Sequence, residues 1–340
     1  MTELTYAKDL NAALRRCLAS DPRVYIWGED IVDPYGGAFK VTAGLSTDYP
    51  TRVLPTPISE GAIVGLAVGA AARGLLPVVE IMFGDFVLLA ADQIVNHAAK
   101  LGGMYNGQVT IPLVVRTPMG GGRGYGPTHS QSLEKHLLGV PGLRVLAPSH
   151  FCSPGAILEA AVLNDPMPVL FIEHKLLYPA RLGNANVSSV RLATLRQDGD
   201  LYPWVIARNF DPEKTAPDVT IGAYGGMSLL VAEALQQLAD EEVWAEAYLP
   251  VELCPRLLPD MVRSVRCTRR LVLVEEGAGR FGWSAEVARG IGELVWSDTT
   301  VRLRCVEAAG SVVPCERGME TAMLPSVDAV IAAALETLTR

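Results

Sequence analysis

The stretch that decides the fold of the first half of the chain reads Thr56-Pro57-Ile58-Ser59-Glu60-Gly61-Ala62-Ile63-Val64-Gly65-Leu66-Ala67-Val68-Gly69. Pro57 and Ser59 are typical helix-start residues and Gly74 is a typical stop, so the pattern predicts an apolar helix that begins near Glu60. Glycines spaced four residues apart leave one side of this helix without bulk, so another backbone can approach it closely. A single carboxylate therefore stands at the start of an otherwise apolar helix.

The carboxylate of Glu60 has two interpretations. It can simply complement the positive end of the helix dipole. Alternatively, partial desolvation favours its protonated form, which suits a carboxyl group to hydrogen-bond a ring nitrogen of a ligand. The motifs further along the chain favour the second interpretation.

Composition excludes several classes of protein. The 340 residues are 49% hydrophobic and 19% charged, which predicts a substantial core. A net charge of −8 with no basic block argues against a nucleic-acid partner. The longest apolar run, residues 61–72, is too short to span a membrane, and residues 1–20 are unlike a secretory signal. The six cysteines show no C-x-x-C or metal-ligand spacing. We therefore expect a cytoplasmic globular protein with reduced thiols and no membrane partner.

Strand and helix patterns alternate along the first 180 residues. Near-continuous apolar runs predict strands at 24–28, 77–82, 111–116, 143–147 and 169–173. Amphipathic or apolar stretches predict helices at 6–20, 85–101, 130–138 and 153–164, besides the one at Glu60. Apolar strands separated by helices indicate a parallel sheet that is covered on both faces.

The alternation is lost between residues 183 and 216, where Asn, Ser, Asp, Gly and Pro predict a linker in which 202–207 can pair as an extra strand. A second alternating unit follows, with strands at 219–224, 244–249, 270–275 and 301–306 and helices at 228–241, 281–295 and 326–339. The fold class is therefore α/β, with two doubly wound domains. The predicted bounds are 1–185 for the first domain, 186–216 for the linker and 217–340 for the second domain.

Several short motifs occur in a characteristic order: Gly28-Glu29-Asp30, Gly36-Gly37-Ala38-Phe39-Lys40-Val41-Thr42, residues 56–69, Glu80-Ile81-Met82-Phe83-Gly84-Asp85-Phe86, Ala91-Asp92-Gln93-Ile94-Val95-Asn96, His129-Ser130-Gln131-Ser132, Pro141-Gly142-Leu143 and Glu173-His174-Lys175-Leu176-Leu177-Tyr178. Together they resemble the beta subunit of the thiamine-diphosphate-dependent decarboxylase component of 2-oxo acid dehydrogenase complexes. The resemblance is strongest from Gly28 to Tyr178. It implies an N-terminal pyrimidine-binding, transketolase-like domain and a C-terminal transketolase-type α/β domain.

The resemblance also implies roles for individual residues. Glu60 matches the glutamate that hydrogen-bonds a pyrimidine nitrogen and so activates the cofactor, which makes a raised pKa useful. Phe86 matches the aromatic residue that stacks on the aminopyrimidine, and Glu29 and Ile58 fall among the cofactor-binding positions. His129, after the glycine-rich stretch 120–128, matches an active-site histidine that stabilises the substrate-derived intermediate and assists its transfer to a lipoyl group. Taken alone, a histidine at that place is more often a helix-start residue.

The family holds the diphosphate and its Mg²⁺ with a Gly-Asp-Gly…Asn motif, and this chain has no Gly-Asp-Gly. The resemblance therefore implies an alpha subunit that carries this motif, an α2β2 assembly and, further out, a lipoyl acyltransferase core. Relatives also bind potassium, mostly through backbone carbonyls, at positions matching Leu113, Ala161, Val162 and Asn164.

The chain departs from the family pattern at three places: Gly139 stands for a histidine, Pro250-Val251-Glu252-Leu253 for Asp-Leu-Arg, and Glu275-Glu276 for His-Glu. These changes keep open a decarboxylase or carboligase of specialised metabolism that does not use a lipoyl group. A third hypothesis, an inactive scaffold subunit, is disfavoured because Glu60 and His129 are both retained. A nucleotide-binding module is disfavoured because the phosphate-loop fingerprints are missing.

Overall fold

The computed structural model describes residues 4–183, 189–253, 257–297 and 300–339. The chain divides into two compact units. The first unit comprises Met1–Gly120, His136–Leu146 and Ser153–Ala180, and the second comprises Gly121–Lys135, Ala147–Cys152 and Arg181–Arg340. The segment with the glycine-rich stretch and His129 is thus part of the second unit. The predicted domain boundary at residues 185 and 186 lies outside the described residues.

The first unit is built on a six-stranded sheet in which every pairing is parallel. Its strands are β1 Val24–Gly28, β2 Val53–Pro55, β3 Leu76–Glu80, β4 Val114–Met119, β5 Arg144–Leu146 and β6 Val169–His174, in the order β2-β1-β3-β4-β6-β5. Its helices are α1 Tyr6–Ser20, α2 Leu45–Asp48, α3 Glu60–Ala72, α4 Ala99–Met104 and α5 Pro154–Leu163. All residues of β3, β4 and β6 are buried, which explains their continuous apolar sequences and confirms the predicted parallel sheet.

The helix predicted over 85–101 is helical along its whole length, but it is not one uniform helix. The chain instead forms a 3₁₀-helix over Gly84–Ala90, a π-helix over Gln93–Ala98 and then α4. The start of this segment packs closely against β4, since a Cβ added at Gly84 would lie 2.2 Å from the Met119 side chain. Periodicity in the sequence reports an apolar face but not these changes of helical pitch.

The second unit contains a mixed six-stranded sheet. Its strands are β7 Arg191–Leu195, β8 Trp204–Arg208, β9 Val219–Ala223, β10 Ala245–Pro250, β11 Arg270–Ala278 and β12 Arg302–Ala308, in the order β12-β11-β9-β10-β8-β7. The first four strands of this order are parallel, whereas β8 pairs antiparallel with both β10 and β7. Its helices are α6 Met227–Asp240, α7 Pro259–Thr268, α8 Trp283–Val295, α9 Arg317–Met323 and α10 Val327–Leu338.

Two sequence predictions in this unit need correction. Both β7 and β8 lie within the predicted linker, where only the second was expected, and residues 184–188 of that segment lie outside the described residues. The helix predicted over 130–138 was wrong, because only Glu134–His136 form a 3₁₀ turn. The side chains of Ser132 and Lys135 instead bond to Glu276 and to the carbonyl of Ala278, so tertiary contacts override the local pattern.

The stretch Arg317–Leu338 is 22 residues long, and by length and composition alone it is apolar enough for a membrane span. It is two helices, α9 and α10, separated at Leu324–Ser326, where Pro325 interrupts the backbone pattern. A 12-residue helix such as α10 extends for about 18 Å, well short of a bilayer core of roughly 30 Å. Since α10 also buries Val330 and Ala334 in the core of the second unit, it is a core helix.

Candidate functional site

Two buried carboxylates meet at the carboxyl edge of the first sheet. Gly28, the last residue of β1, pairs with Pro55, the last residue of β2, so the segments that follow both strands lie side by side. Glu29 follows the first strand and Glu60 begins α3 after the second, and they are only 5% and 6% exposed. The predicted cofactor-binding residues Glu29 and Glu60 are therefore brought together, at the edge where open α/β sheets bind ligands.

The pair has an asymmetric environment. Ser59 is the N-cap residue of α3, yet its side chain makes no capping bond. Its backbone N–H instead donates to the Glu29 carboxylate. Burial raises the pKa of Glu29, the charges of Glu60 and Asp30 raise it further, and the Ser59 N–H lowers it. The Oε1 atom of Glu29 is buried without a hydrogen-bond partner among the described residues. A buried acceptor of this kind is paired in nearly all proteins, so it marks a place where a donor group is missing.

The glycine side of α3 is used within the first unit. A Cβ added at Gly61 would lie 3.3 Å from the carbonyl oxygen of Leu89, and one at Gly65 would lie 3.1 Å from Oε1 of Gln93. The backbone that approaches Gly61 is therefore the 3₁₀-helix of the same chain. A Cβ added at Gly69 would have no contact within 4 Å among the described residues outside the backbone of α3, so this end of the glycine stripe is open.

Phe86 lies on that 3₁₀-helix in a row of aromatic rings. Its ring packs edge-on against Phe83 with a centroid distance of 6.1 Å, and Phe83 packs edge-on against Phe39 at 5.9 Å. Phe39 in turn stacks on Tyr178 at 4.8 Å. Phe86 is half-buried. Ile58, the other predicted apolar contact, is 81% exposed.

A buried ionic network supports this row from inside the sheet. Arg116 on β4 donates from Nε and Nη2 to both oxygens of Glu173 on β6, at 2.7 and 2.8 Å, and from Nη1 to Glu80 on β3, at 2.8 Å. The hydroxyl of Tyr178 also donates to Glu173, at 2.8 Å. Burial and the Glu173 charge raise the pKa of Tyr178, so this phenol stays protonated as a donor. The network fixes the ring on which Phe39 stacks.

The four predicted potassium positions fall on two segments of the first unit. Ala161 and Val162 are in the last turn of α5 and Asn164 follows it, where helix carbonyls lack helical partners. Leu113 immediately precedes β4, and its carbonyl accepts the Val169 N–H at 2.7 Å. Carbonyl oxygens suit a hard cation, and the potassium site stays a prediction. Across the described ranges, no group of three or more His, Cys, Asp or Glu side chains is placed to hold a metal ion.

His129 lies in the second unit at the end of the glycine-rich stretch, which turns through glycines of positive φ at 122, 124 and 126. The imidazole Nδ1 of His129 lies 3.0 Å from Oγ1 of Thr128, and the backbone N–H of His129 donates to the carbonyl of Gly126 at 3.2 Å. His129 is half-buried and does not start a helix, since no helix follows it before Glu134.

Sequence reasoning missed two acids that hold this stretch. Glu276 on β11 accepts the Gly121 N–H and the Ser132 hydroxyl, both at 2.8 Å. Glu320 on α9 accepts the N–H groups of Gly122 and Gly124. The only signal in the sequence was the departure to Glu275-Glu276, whereas nothing singled out Glu320.

Two family models match the chain. One is described as the transketolase pyrimidine-binding domain and matches residues 2–181. The other is described as the transketolase C-terminal domain and matches residues 210–330. A solved structure titled as the inactive beta4 tetramer of a split-gene transketolase has a TM-score of 0.69 and 18% sequence identity, and the match covers 98% of both chains. At that identity it shows the shared fold.

Curated relatives match along nearly the whole chain, and three of them serve as examples. The pyruvate dehydrogenase E1 component subunit beta-1, mitochondrial, of Arabidopsis thaliana is 35% identical, with 97% of this chain and 88% of the relative covered. The pyruvate dehydrogenase E1 component subunit beta of Leifsonia xyli is 34% identical, with coverage of 96% and 93%. The acetoin:2,6-dichlorophenolindophenol oxidoreductase subunit beta of Cupriavidus necator is 32% identical, with coverage of 97% and 96%.

Proposed function

Since this chain belongs to the family of beta subunits of thiamine-diphosphate-dependent 2-oxo acid dehydrogenases, we propose that its first unit holds the aminopyrimidine of thiamine diphosphate against Glu60. The observation that carries this proposal is the buried pair of Glu29 and Glu60, in which Oε1 of Glu29 has no partner among the described residues. An aminopyrimidine offers the N–H donors and ring nitrogens that such a pair can bond.

Each residue of the site has a separate task in this proposal. Glu60 hydrogen-bonds the pyrimidine ring, and its burial strengthens that bond because water is excluded. Glu29 fixes the start of α3 through the Ser59 N–H and so orients Glu60. Phe86 packs beside the heterocycle, a contact worth about 0.5–1.5 kcal/mol beyond the area it buries. The bound cofactor would supply the carbanion and electron-sink chemistry, while the protein supplies position and electrostatics.

A partner alpha subunit completes the site in this proposal, since the chain has no Gly-Asp-Gly motif for the diphosphate and Mg²⁺. Large apolar side chains are exposed on the segments near the pair: Ile58 before α3 is 81% exposed, Leu66 on α3 is 59% and Leu89 on the 3₁₀-helix is 66%. Apolar side chains grouped on a surface mark a protein contact more often than a solvated face. We propose that the alpha subunit covers this surface in an α2β2 assembly.

The test is a Glu60→Gln variant co-purified with its alpha subunit. Glutamine keeps the size of the side chain but cannot accept and release a proton, so we expect decarboxylation to fall by about 10²–10⁴-fold. A Glu233→Gln variant, changed on the exposed face of α6, is the matched control and should keep full activity. Turnover close to that of the wild type in Glu60→Gln would refute the role of Glu60.

The reaction and acceptor form a second part of the proposal. Relatives named for pyruvate dehydrogenase and for acetoin oxidoreduction match this chain at nearly the same identity, 34–35% against 32%. We propose decarboxylation of a 2-oxo acid with acyl transfer to a lipoyl group as the main reaction, and acetoin cleavage as the second candidate. Pyruvate, branched-chain 2-oxo acids and acetoin should be compared with 2,6-dichlorophenolindophenol and with a lipoylated domain as acceptors. Turnover of acetoin alone would reverse the order of the two candidates, and release of free aldehyde or carboligation product would favour an enzyme that uses no lipoyl group.

A further inference from the structure

The glycine-rich stretch before His129 lies against α9 of its own unit. A Cβ added at Gly121 would lie 2.8 Å from Cδ1 of Leu324, and one at Gly124 would lie 3.3 Å from Cβ of Arg317. Both contacts are closer than a side chain at the glycine would normally tolerate. The glycines of this stretch therefore let its backbone approach a helix of the same unit closely.

Glu320 is the polar centre of this contact. It is on α9, and its side chain is fully buried. Its Oε1 accepts the Gly122 N–H at 3.1 Å and its Oε2 accepts the Gly124 N–H at 2.5 Å. One carboxylate thus spans alternate peptide groups of the stretch through charge-assisted hydrogen bonds, which are about twice as strong as neutral ones.

Two further attachments hold the segment at its ends. Glu276 accepts the Gly121 N–H and the Ser132 hydroxyl, so one carboxylate joins positions on either side of His129. The Tyr224 hydroxyl donates to Glu134 at the end of the segment. Glu276 lies on β11 and the donor Tyr224 directly follows β9. The carboxyl ends of these two strands form the switch point of the second sheet, because β10 follows β9 on one side and β11 lies on the other. In open α/β sheets that crevice usually receives a ligand, and here it receives the chain's own segment 121–135.

We propose that Glu320 is a positioning residue for His129. By bonding Gly122 and Gly124 it holds the backbone of residues 121–129 in the conformation that orients the His129 imidazole toward the reacting groups. The catalytic consequence rests on the role of His129 in the proposed function. His129 lies five positions after Gly124 along the chain. The turn between them is closed by the hydrogen bond that the backbone N–H of His129 donates to the Gly126 carbonyl. Loss of the hydrogen bonds at Gly122 and Gly124 would therefore let the backbone that positions the imidazole move.

The test compares Glu320→Gln with Glu316→Gln. Glutamine at position 320 has one acceptor oxygen and would turn an NH₂ group toward a backbone N–H, so one of the two bonds is lost. Glu316 caps the same helix by accepting the N–H groups of Gly318 and Met319, but it is exposed and does not bond the glycine-rich stretch. The pair therefore separates loss of the bonds to the stretch from weakening of α9.

The first readout is amide hydrogen exchange over residues 121–129 of the purified chain. We expect faster exchange at one or both of Gly122 and Gly124 in Glu320→Gln and exchange like the wild type in Glu316→Gln. Thermal unfolding of both variants identifies any general loss of structure. Unchanged exchange in a folded Glu320→Gln variant would overturn the proposal.

The second readout is a double-mutant cycle with His129→Ala in the enzyme assembled with its alpha subunit. We expect Glu320→Gln to lower kcat about 10–100-fold with the affinity for thiamine diphosphate unchanged, since small misplacements of a reacting group cost this much. It should lower kcat no further when His129 is already alanine. If Glu320→Gln lowered kcat by the same factor in the His129→Ala background as in the wild type, the link between Glu320 and His129 would be overturned. A normal kcat in His129→Ala would instead refute the role of His129 in the proposed function, while the exchange measurement would still decide whether Glu320 holds the stretch.

Discussion

Replacing Glu275 with glutamine should remove a pH dependence from the stability of the second unit. Glu275 on β11 is 2% exposed, and its Oε1 lies so close over Gly282 that a Cβ added there would be 2.1 Å away. Burial raises the pKa of Glu275 to about 7, and the charges of Glu134 and Glu307 and a hydrogen bond with Glu307 add to this, whereas the Ser284 N–H lowers it. The folded chain therefore keeps Glu275 protonated at a pH where the unfolded chain has lost the proton.

The sign and size of the effect follow from linkage. An unfolded glutamate titrates near 4.5, so between about pH 4.5 and pH 7 the folded state binds more protons at Glu275 than the unfolded state does. The stability contributed by this group is complete below pH 4.5 and is lost as the pH rises through about 7. From about pH 5 to pH 8 the loss amounts to about 2.5 kcal/mol of the free energy of unfolding.

The assay is urea unfolding of the full chain at about pH 5 and about pH 8, followed by tryptophan fluorescence, since Trp283 begins the helix beside Glu275. Glutamine imitates the protonated carboxyl group and does not titrate. The free energy of unfolding of Glu275→Gln minus that of the wild type should therefore rise by about 2.5 kcal/mol from about pH 5 to about pH 8. Glu233→Gln, on the exposed face of α6, should follow the wild type at both pH values. A gap for Glu275→Gln that does not change with pH would refute the reasoning.

Three further predictions concern the stability of the folded chain and are checked by chemical or thermal unfolding. Arg116→Met should cost about 3–5 kcal/mol because it leaves two buried carboxylates without their cation, and a loss below about 1 kcal/mol would contradict this. Ser153→Ala should cost about 1–2 kcal/mol, since the hydroxyl caps α5 and also bonds Asp9, and an unchanged urea midpoint would argue against it. Gly142→Ala should lower the Tm, because φ is +86° and a Cβ would lie 2.1 Å from a backbone carbonyl, whereas Gly69→Ala, in open space on α3, should stabilise by about 0.5–1 kcal/mol. Equal effects of the two glycine changes would contradict the geometric argument.

The sequence predicted well those elements whose own residues show which positions are buried. Strand Val169–His174 and helix Tyr6–Ser20 were predicted within a residue or two, because a continuous apolar run and an amphipathic period identify them locally. Helix Pro259–Thr268 was missed because two of its four buried residues, Ser264 and Thr268, are polar, so its buried face is not an apolar pattern in the sequence. Strand Arg191–Leu195 was missed because it is a half-exposed edge strand, defined mainly by its pairing with β8.

The candidate site likewise has a residue that the sequence identifies locally and neighbours that only the fold brings to it. Glu60 stood out because a lone acid before an apolar helix is visible in a short window, and the structure buries its side chain. That Glu29 lies beside it follows from the register of β1 with β2, which no short window contains. The row of rings behind Phe86 likewise joins residues from three separate segments.

The sequence by itself determined the alternation of strands and helices, the single acid at the head of α3 and the glycines that precede His129. The tertiary structure alone decided which groups meet: Glu320 bonds Gly124 across 196 positions of the chain, and Glu276 bonds Gly121 across 155. The physical reason is that periodicity and caps act within a few residues, whereas a buried carboxylate is satisfied by whichever backbone the packing of the sheet brings to it.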